Sequence, residues 1–446
     1  AGQRAAGSHT AALASSTVAA DALFRQSGVI SADSLQELLE ITALMATQPL
    51  PPGQRVAVLS NAGGPGVLCA DAIEAAGLRL PEFSTGLQRR LREFLPAEAT
   101  VRNPIDLIGS TDPHEFSHCL ELLLDHDECD AIILIYVPRL SATSDAIAAR
   151  VAEVLKQRST QKTILSVFMQ EEPAPSVLSS IDPPVPAWRF PESAVRALAA
   201  AAELVAWRNR PPASVAGPPA GFGADRIRVI TTAYHSEVFP DGWLPPDTTN
   251  ALLNAAGIMT AEQSVVATVD AAVEAAQQIG FPVVVKAIAP GLVHRSDVGG
   301  VIVDINDEDS IRAAVARLFE SVSGCRAVLV QKFIECRREF VVGVSREPGF
   351  GHLIGFGLGG VDVEVVGEMQ FGMHPLSRAD AEELIDEHPA ARLLDAHRGR
   401  PPADVAALID TLLRISELLT VCPEISEADL NPVKVLDNGH GVCVVD

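Results

Sequence analysis

Hydrophobic residues recur with two different periods along this chain. Residues 15–26 and 34–46 carry apolar side chains at helical spacing, and the small, polar residues 1–14 read as a loop leading into the first helix. PLPPG (49–53) interrupts the pattern and marks a boundary. From 55 to 208, RVAVLS (55–60), DAIILIYV (130–137) and TILSVFM (163–169) read as strands. Between and after them, VLCADAIEAAG, residues 144–157 and SAVRALAAAAELVAW (193–207) read as helices. Strands alternating with helices predict an α/β unit whose parallel sheet is covered on both faces.

RPPASVAGPPAGFG (210–223) is rich in Pro and Gly and reads as a linker. Beyond it the pattern changes. DAAVEAAQQIG (270–280) is a helix, and PVVVKAI (282–288), GVIVDI, AVLVQKFI and REFVVGV are strands. HLIGFGLGG ends in a glycine loop, and a helix over 404–419 precedes a closing β-hairpin with an Asn-Gly turn. This half reads as α+β with mostly antiparallel strands.

At 446 residues the chain is too long for one core, so two or three domains are expected, and 48% hydrophobic content suits packed globular domains. A formal charge of -23 argues against a nucleic-acid binder, which shows a basic face. It does not exclude nucleotides, because helix ends, single lysines and metal ions supply positive field locally. The seven cysteines are scattered without a C-x-x-C pair, which suggests reduced core thiols rather than a metal knuckle. Neither a membrane span nor a signal peptide is apparent, so a cytoplasmic location is expected. The chain starts at Ala1 in a small-residue loop and stops at VVD straight after a strand-like run, and it reads as a fragment of a longer protein.

Four stretches carry chemistry. Lys286 stands at the end of an apolar strand, where an ammonium is costly without an anion; the plain alternative is a lysine snorkelling from an edge strand. Gln331, Lys332 and Phe333 end one strand just before another begins at Arg338, so the segment between can present backbone groups to an adenine edge and Glu339 can meet ribose hydroxyls; the alternative is an ordinary hairpin. Gly359 and Gly360 close GFGLGG, whose backbone can approach phosphate oxygens, or simply turn. Asp429 and Asn431 alternate along one strand, which puts them on one face, and Asp446 ends the next strand. Such hard oxygens suit Mg²⁺ bridging nucleotide phosphates.

In this order, lysine, hinge, glutamate, glycine loop and acidic hairpin resemble the ATP-grasp fold over roughly 225–446. LVHRSDVGGV and FGLGGVDVEV resemble, more narrowly, the ADP-forming acyl-CoA synthetases, relatives of succinyl-CoA synthetase. SNAGGPGVLCADAIEAAGL and RNPIDLIG (102–109) resemble that family's flavodoxin-like ligase domain, and GSHTAALA (7–14) its active-site histidine loop. The organisation so implied is a histidine loop and helices from the end of a truncated synthetase domain (1–48), a flavodoxin-like domain (49–212), a linker (213–224) and an ATP-grasp domain (225–446).

The resemblance implies an acid-thiol ligase that interconverts acyl-CoA, ADP and phosphate with carboxylate, ATP and CoA through a phosphohistidine relay. His9 would take up phosphate where acyl-CoA binds, and His294 would receive it beside the nucleotide; neutral imidazole suits both steps. Asn61, Gly63, Gly64 and Gly66, at the start of a helix, would cradle the phosphohistidine. ATP or ADP and Mg²⁺ are the implied ligands. CoA is expected only through an amino-terminal CoA-binding domain or subunit that the chain does not carry. A homo-oligomer stays open.

Two positions depart from the family. Ala11 replaces a usual Gly, and Gly372 stands where an Arg often contacts phosphate. The alternative reading is a regulatory, nucleotide-sensing synthetase-like module of a protein acetyltransferase. A carboxylate-amine ligase would need neither His9 nor the flavodoxin-like domain.

Overall fold

The computed structural model describes residues 16–138, 143–210, 218–235, 242–289, 292, 298–336, 338–360, 368–396, 399 and 401–446. His9, Ala11 and His294 therefore lie outside the described residues. The chain divides into two compact units. One comprises Gly28–Arg210. The other joins helix α1 (Ser16–Ser27) to the carboxy-terminal half.

The Gly28–Arg210 unit is the α/β half. It begins with α2 (Leu35–Thr47), capped by Ser34, and a five-stranded sheet follows, β1 (Val56–Ser60), β2 (Ile105–Asp106), β3 (Ala131–Tyr136), β4 (Thr163–Phe168) and β5 (Ala187–Trp188). The strands are parallel in the order β2-β1-β3-β4-β5, the flavodoxin-like order. Alternation assigns the faces. Ala57, Leu59, Ile132, Leu134 and Tyr136 pack with α4 (Thr85–Arg92), α5 (Pro113–Asp125) and α6 (Ser144–Gln157). Val56, Val58, Ile133, Ile135 and Val167 pack with α2, α3 (Gly63–Ala75) and α7 (Pro191–Arg208). Because α2 is part of this second core, the break at PLPPG lies inside a unit. Gly28, at φ +65, precedes α2, and a Cβ there would stand 2.4 Å from the Trp207 ring.

The other unit holds two antiparallel sheets. β6 (Gln263–Val266), β7 (Val283–Ile288), β8 (Val301–Ile305) and β9 (Ala327–Lys332) form the first, in the order β6-β9-β7-β8. On it Val283, Val285, Val328 and Val330 face α10 (Val269–Ile279) and α11 (Glu308–Ser321), numbered after α8 (Ala224–His235) and α9 (Pro246–Ala255). The second sheet runs β12-β11-β10-β13-β14, built from β10 (Glu339–Glu347), β11 (Gly351–Leu358), β12 (Met369–Met373), β13 (Glu427–Val435) and β14 (Val442–Val444). Phe340, Val342, Val344, Ile354 and Phe356 turn one face toward α8, α9, α12 (Arg378–Asp386) and α13 (Val405–Val421). On the other face Leu353, Phe371 and Met373 meet Ala19 and Ala22 of α1.

Asn438-Gly439 lies in the β13–β14 connection, but within a longer loop than a two-residue hairpin. Val435 pairs with Val442, and Asp404 Oδ2 accepts from Gly439 N and Gly441 N. No helix among the described residues is long and apolar enough to cross a membrane.

Candidate functional site

Strand alternation decides which side chains of the carboxy-terminal unit meet. In β7, Val283, Val285 and Ala287 go to the helix-covered core, so Lys286 goes to the opposite face. Gln331 of β9 shares that face. It is buried, and its amide donates to Gln263 Oε1 at 2.7 Å. Lys286 is 5% exposed, and its charge is met by Asp446, with Nζ 3.1 Å from Oδ2 and a further hydrogen bond to the Val445 carbonyl. The anion that a buried ammonium requires thus comes from the last residue of the sequence.

Lys332, one residue beyond Gln331, points the other way. Its Nζ donates to the carbonyls of Gly280 (2.7 Å) and Phe281 (3.1 Å), closing the end of α10 against the start of β7. The Lys332 side chain is thereby engaged away from the face that carries Lys286 and Gln331.

On the second sheet, Glu339, Asp429 and Asn431 occupy the face opposite the helices, because Phe340, Val342 and Leu430 fill the core. Glu339 Oε1 accepts from Lys434 Nζ at 2.9 Å. The same ammonium donates to the Ile334 carbonyl and stands 5.6 Å from the centre of the Phe333 ring. The segment between β9 and β10 is therefore lined by Phe333, Glu339 and Lys434. Lys434 was not singled out in the sequence; its signal is a lysine in the otherwise apolar run PVKVL, and it is 9% exposed.

The glycine loop joins this group. Gly360 N donates to Asn431 Oδ1 at 2.9 Å, and Gly359 N to the Glu339 carbonyl. Gly360 has φ +79, and a Cβ there would lie 2.6 Å from Glu339 Oε2; one at Gly359 would lie 2.3 Å from the Phe340 carbonyl. Only glycine fits either position. Asn431 N donates to the Asp446 carbonyl, which ties the proposed metal residues together through the backbone. A cleft of about 880 Å³ is lined by Gln263, Leu329, Gln331, Asp429 and Asp446, among others.

The described residues hold no group of three or more His, Cys, Asp or Glu placed to bind a metal by themselves. Two carboxylates and a carboxamide nevertheless fit Mg²⁺, which favours oxygen donors and completes its shell with substrate phosphates and water.

Gly372 faces the core. A Cβ there would lie 2.8 Å from Leu376 and 3.2 Å from Leu384. An arginine at this position of this sheet would enter apolar packing, so the expected loss of a phosphate contact does not follow.

In the α/β unit, α3 opens directly after β1 with no side-chain cap on its first turn. Gly63 and Gly64 have no intrahelical acceptor for their N–H groups, and the space beside Gly64 is open. Gly66 N already bonds the Ala62 carbonyl. The Asn61 side chain is engaged within the sheet. Its amide donates to the Val137 carbonyl at 2.9 Å while its oxygen accepts from Val137 N at 2.8 Å, pinning the ends of β1 and β3.

Comparison with known proteins agrees with this geometry. The ATP-grasp domain family matches residues 238–446, the Ligase-CoA domain family 56–176, and the succinyl-CoA ligase like flavodoxin domain family 1–45. The beta subunit of acetate–CoA ligase [ADP-forming] II from Pyrococcus furiosus is 35% identical over 202 residues, which are 44% of this chain and 86% of that protein. The chain belongs to the ADP-forming acyl-CoA synthetase family. Acetate–CoA ligase [ADP-forming] I from Archaeoglobus fulgidus is 36% identical over 99% of this chain, and 4-hydroxybutyrate–CoA ligase [ADP-forming] from Nitrosopumilus maritimus 30% identical over all of it. The chain spans 63% and 64% of the length of these two synthetases. With the Ligase-CoA domain family matched at 56–176, the expectation that CoA concerns only domains missing from this chain is left without support.

Proposed function

We propose that this chain carries the nucleotide-binding and phosphoryl-transfer part of an ADP-forming acyl-CoA synthetase, acting in acyl-CoA + ADP + phosphate ⇌ carboxylate + ATP + CoA. The observation that carries the reading is the convergence of Glu339, Gly360, Asn431 and Asp446, with the Lys286 ammonium held at Asp446. The segment from Phe333 to Glu339 would take the adenosine, with Glu339 on the ribose. Lys286 would turn from Asp446 to a phosphate oxygen, and Gly359 and Gly360, bearing no side chains, would let the phosphates come close to the loop. Asp429 and Asp446, with Asn431, would hold Mg²⁺, which when bound offsets phosphate charge.

Positioning and charge neutralisation do most of the work of phosphoryl transfer. In the ATP-consuming direction a neutral imidazole nitrogen of His294 attacks the γ-phosphorus. A P–N bond forms, the P–O bond to ADP breaks, and ADP leaves with the electron pair. His9 then accepts the phosphoryl group by the same exchange and passes it toward the acyl site, where the first turn of α3 would receive it.

The test is incubation with γ-labelled ATP and Mg²⁺, scoring acid-labile, base-stable label. Label is expected in the wild type and is lost in His294→Ala; in His9→Ala it stays on His294. An unlabelled wild type that still binds ATP overturns the relay, and no ATP binding overturns the nucleotide site.

A further inference from the structure

β6 lies at the edge of the four-stranded sheet, and its first residue, Gln263, stands directly opposite Gln331 of β9. The two side chains share the open face, and both line the cleft with Asp429 and Asp446. Gln331 is buried, and its Nε2 donates to Gln263 Oε1 at 2.7 Å. Among the described residues neither carboxamide makes another hydrogen bond. Register places the pair along the nucleotide. Lys286 pairs with Leu329 and Val284 with Gln331, and Phe333 follows two residues after Gln331. Gln331 is therefore one two-residue step, about 7 Å, from the lysine row and as far again from Phe333. A nucleotide with its phosphates at Lys286 and its nucleoside in the segment from Phe333 to Glu339 brings its base past Gln331.

A carboxamide has a donor end and an acceptor end of nearly one shape. As the pair stands, Gln331 Nε2 is taken by Gln263, and Gln331 Oε1 is left for the cleft. Turning both carboxamides over exchanges the roles. Gln263 Nε2 then donates to Gln331 Oε1, and Gln331 Nε2 is left for the cleft. Either arrangement keeps one hydrogen bond between the two side chains. The purines differ in the matching way: adenine carries a 6-amino group that donates, guanine a 6-oxo group that accepts. The first arrangement meets adenine and the second guanine, and a mismatch sets donor against donor or acceptor against acceptor.

We propose that Gln263 is a specificity-determining residue, setting which end of the Gln331 carboxamide faces the base and so which purine nucleotide the site accepts. The proposal rests on the nucleotide site described under the proposed function. In Gln263→Glu the partner can only accept, so it holds Gln331 Nε2 and leaves the oxygen for adenine. In Gln263→Lys the partner can only donate, so it holds Gln331 Oε1 and leaves the amide hydrogens for guanine.

The experiment is calorimetric titration of the full chain with ADP and with GDP, in the wild type, Gln263→Glu and Gln263→Lys, with melting temperatures measured in parallel. The quantity read is the ratio of the two dissociation constants within each protein, which cancels any general change of affinity caused by the new charge. Relative to the wild type, the ratio is expected to move about tenfold toward ADP in Gln263→Glu and about tenfold toward GDP in Gln263→Lys, one hydrogen bond matched or mismatched in each. Should one variant fail to fold, the direction of the other decides. Ratios that stay at the wild-type value, or move the same way in both variants, overturn the proposal and leave the pair as a cross-strand contact of an edge strand. So does a lower melting temperature with no change of ratio. A wild type that binds neither nucleotide overturns the nucleotide site itself, which is a different failure.

Discussion

Lys286 and Lys332 stand on neighbouring strands of one sheet, the first between Val285 and Ala287 and the second between Gln331 and Phe333, yet one reaches Asp446 and the other a helix end. Residue type announced that each needed an acceptor. Only the register of β7 against β9 tells which acceptor, and register is a property of two strands that no single run of sequence contains. His374 shows the same limit: its neighbours are remote in sequence. Ser416 Oγ lies 3.1 Å from its Nδ1 and takes the Leu376 N–H, and the His352 ring is 6.0 Å away. Burial, and secondarily His352, hold the His374 pKa below the ordinary 6.5. The folded chain keeps this ring neutral where the unfolded chain binds a proton, so its contribution is complete above pH 6.5 and is lost as pH falls through the window below it. Melting curves between about pH 5 and 7.5 should fall more steeply toward acid in the wild type than in His374→Gln. Equal slopes would remove this residue from the acid response.

The elements themselves were largely legible. The strands at 56–60, 131–136 and 163–168 and the helices at 144–157 and 405–421 lie within a few residues of where apolar periodicity places them. β2 and β5, two residues each, leave no periodic trace. The NAGGPG turn announced a helix start with open N–H groups, but not that its asparagine would be consumed in holding β1 to β3. Asn61→Ala strands the Val137 N–H and carbonyl at the mouth of the sheet. A loss of about 2 kcal/mol in denaturant unfolding is expected, with the nucleotide affinity of the other unit unchanged. A neutral substitution would mean that water replaces the amide there.

At the scale of the molecule, chain order and spatial order part company. Residues 1–48 read as one piece, but α1 belongs with the two antiparallel sheets and α2 with the parallel one. Nothing in the periodicity of 15–46 could reveal this, because both helices bury a narrow apolar stripe and differ only in what covers it. The Lys286–Asp446 pair ties the four-stranded sheet to the end of the last strand of the other. In the proposed mechanism both partners change hands at once, the ammonium going to phosphate and the carboxylate to the cation. Whichever ligand arrives first bears the cost of parting them, and the second finds its partner already released. Mg²⁺ and ATP should thus tighten each other's binding by one and the same factor, measurable by calorimetric titration in either order, and that factor should shrink toward unity in Asp446→Asn. The strut between the sheets would then act as a thermodynamic AND gate, disfavouring half-loaded states of the site in which either the metal or the nucleotide waits alone.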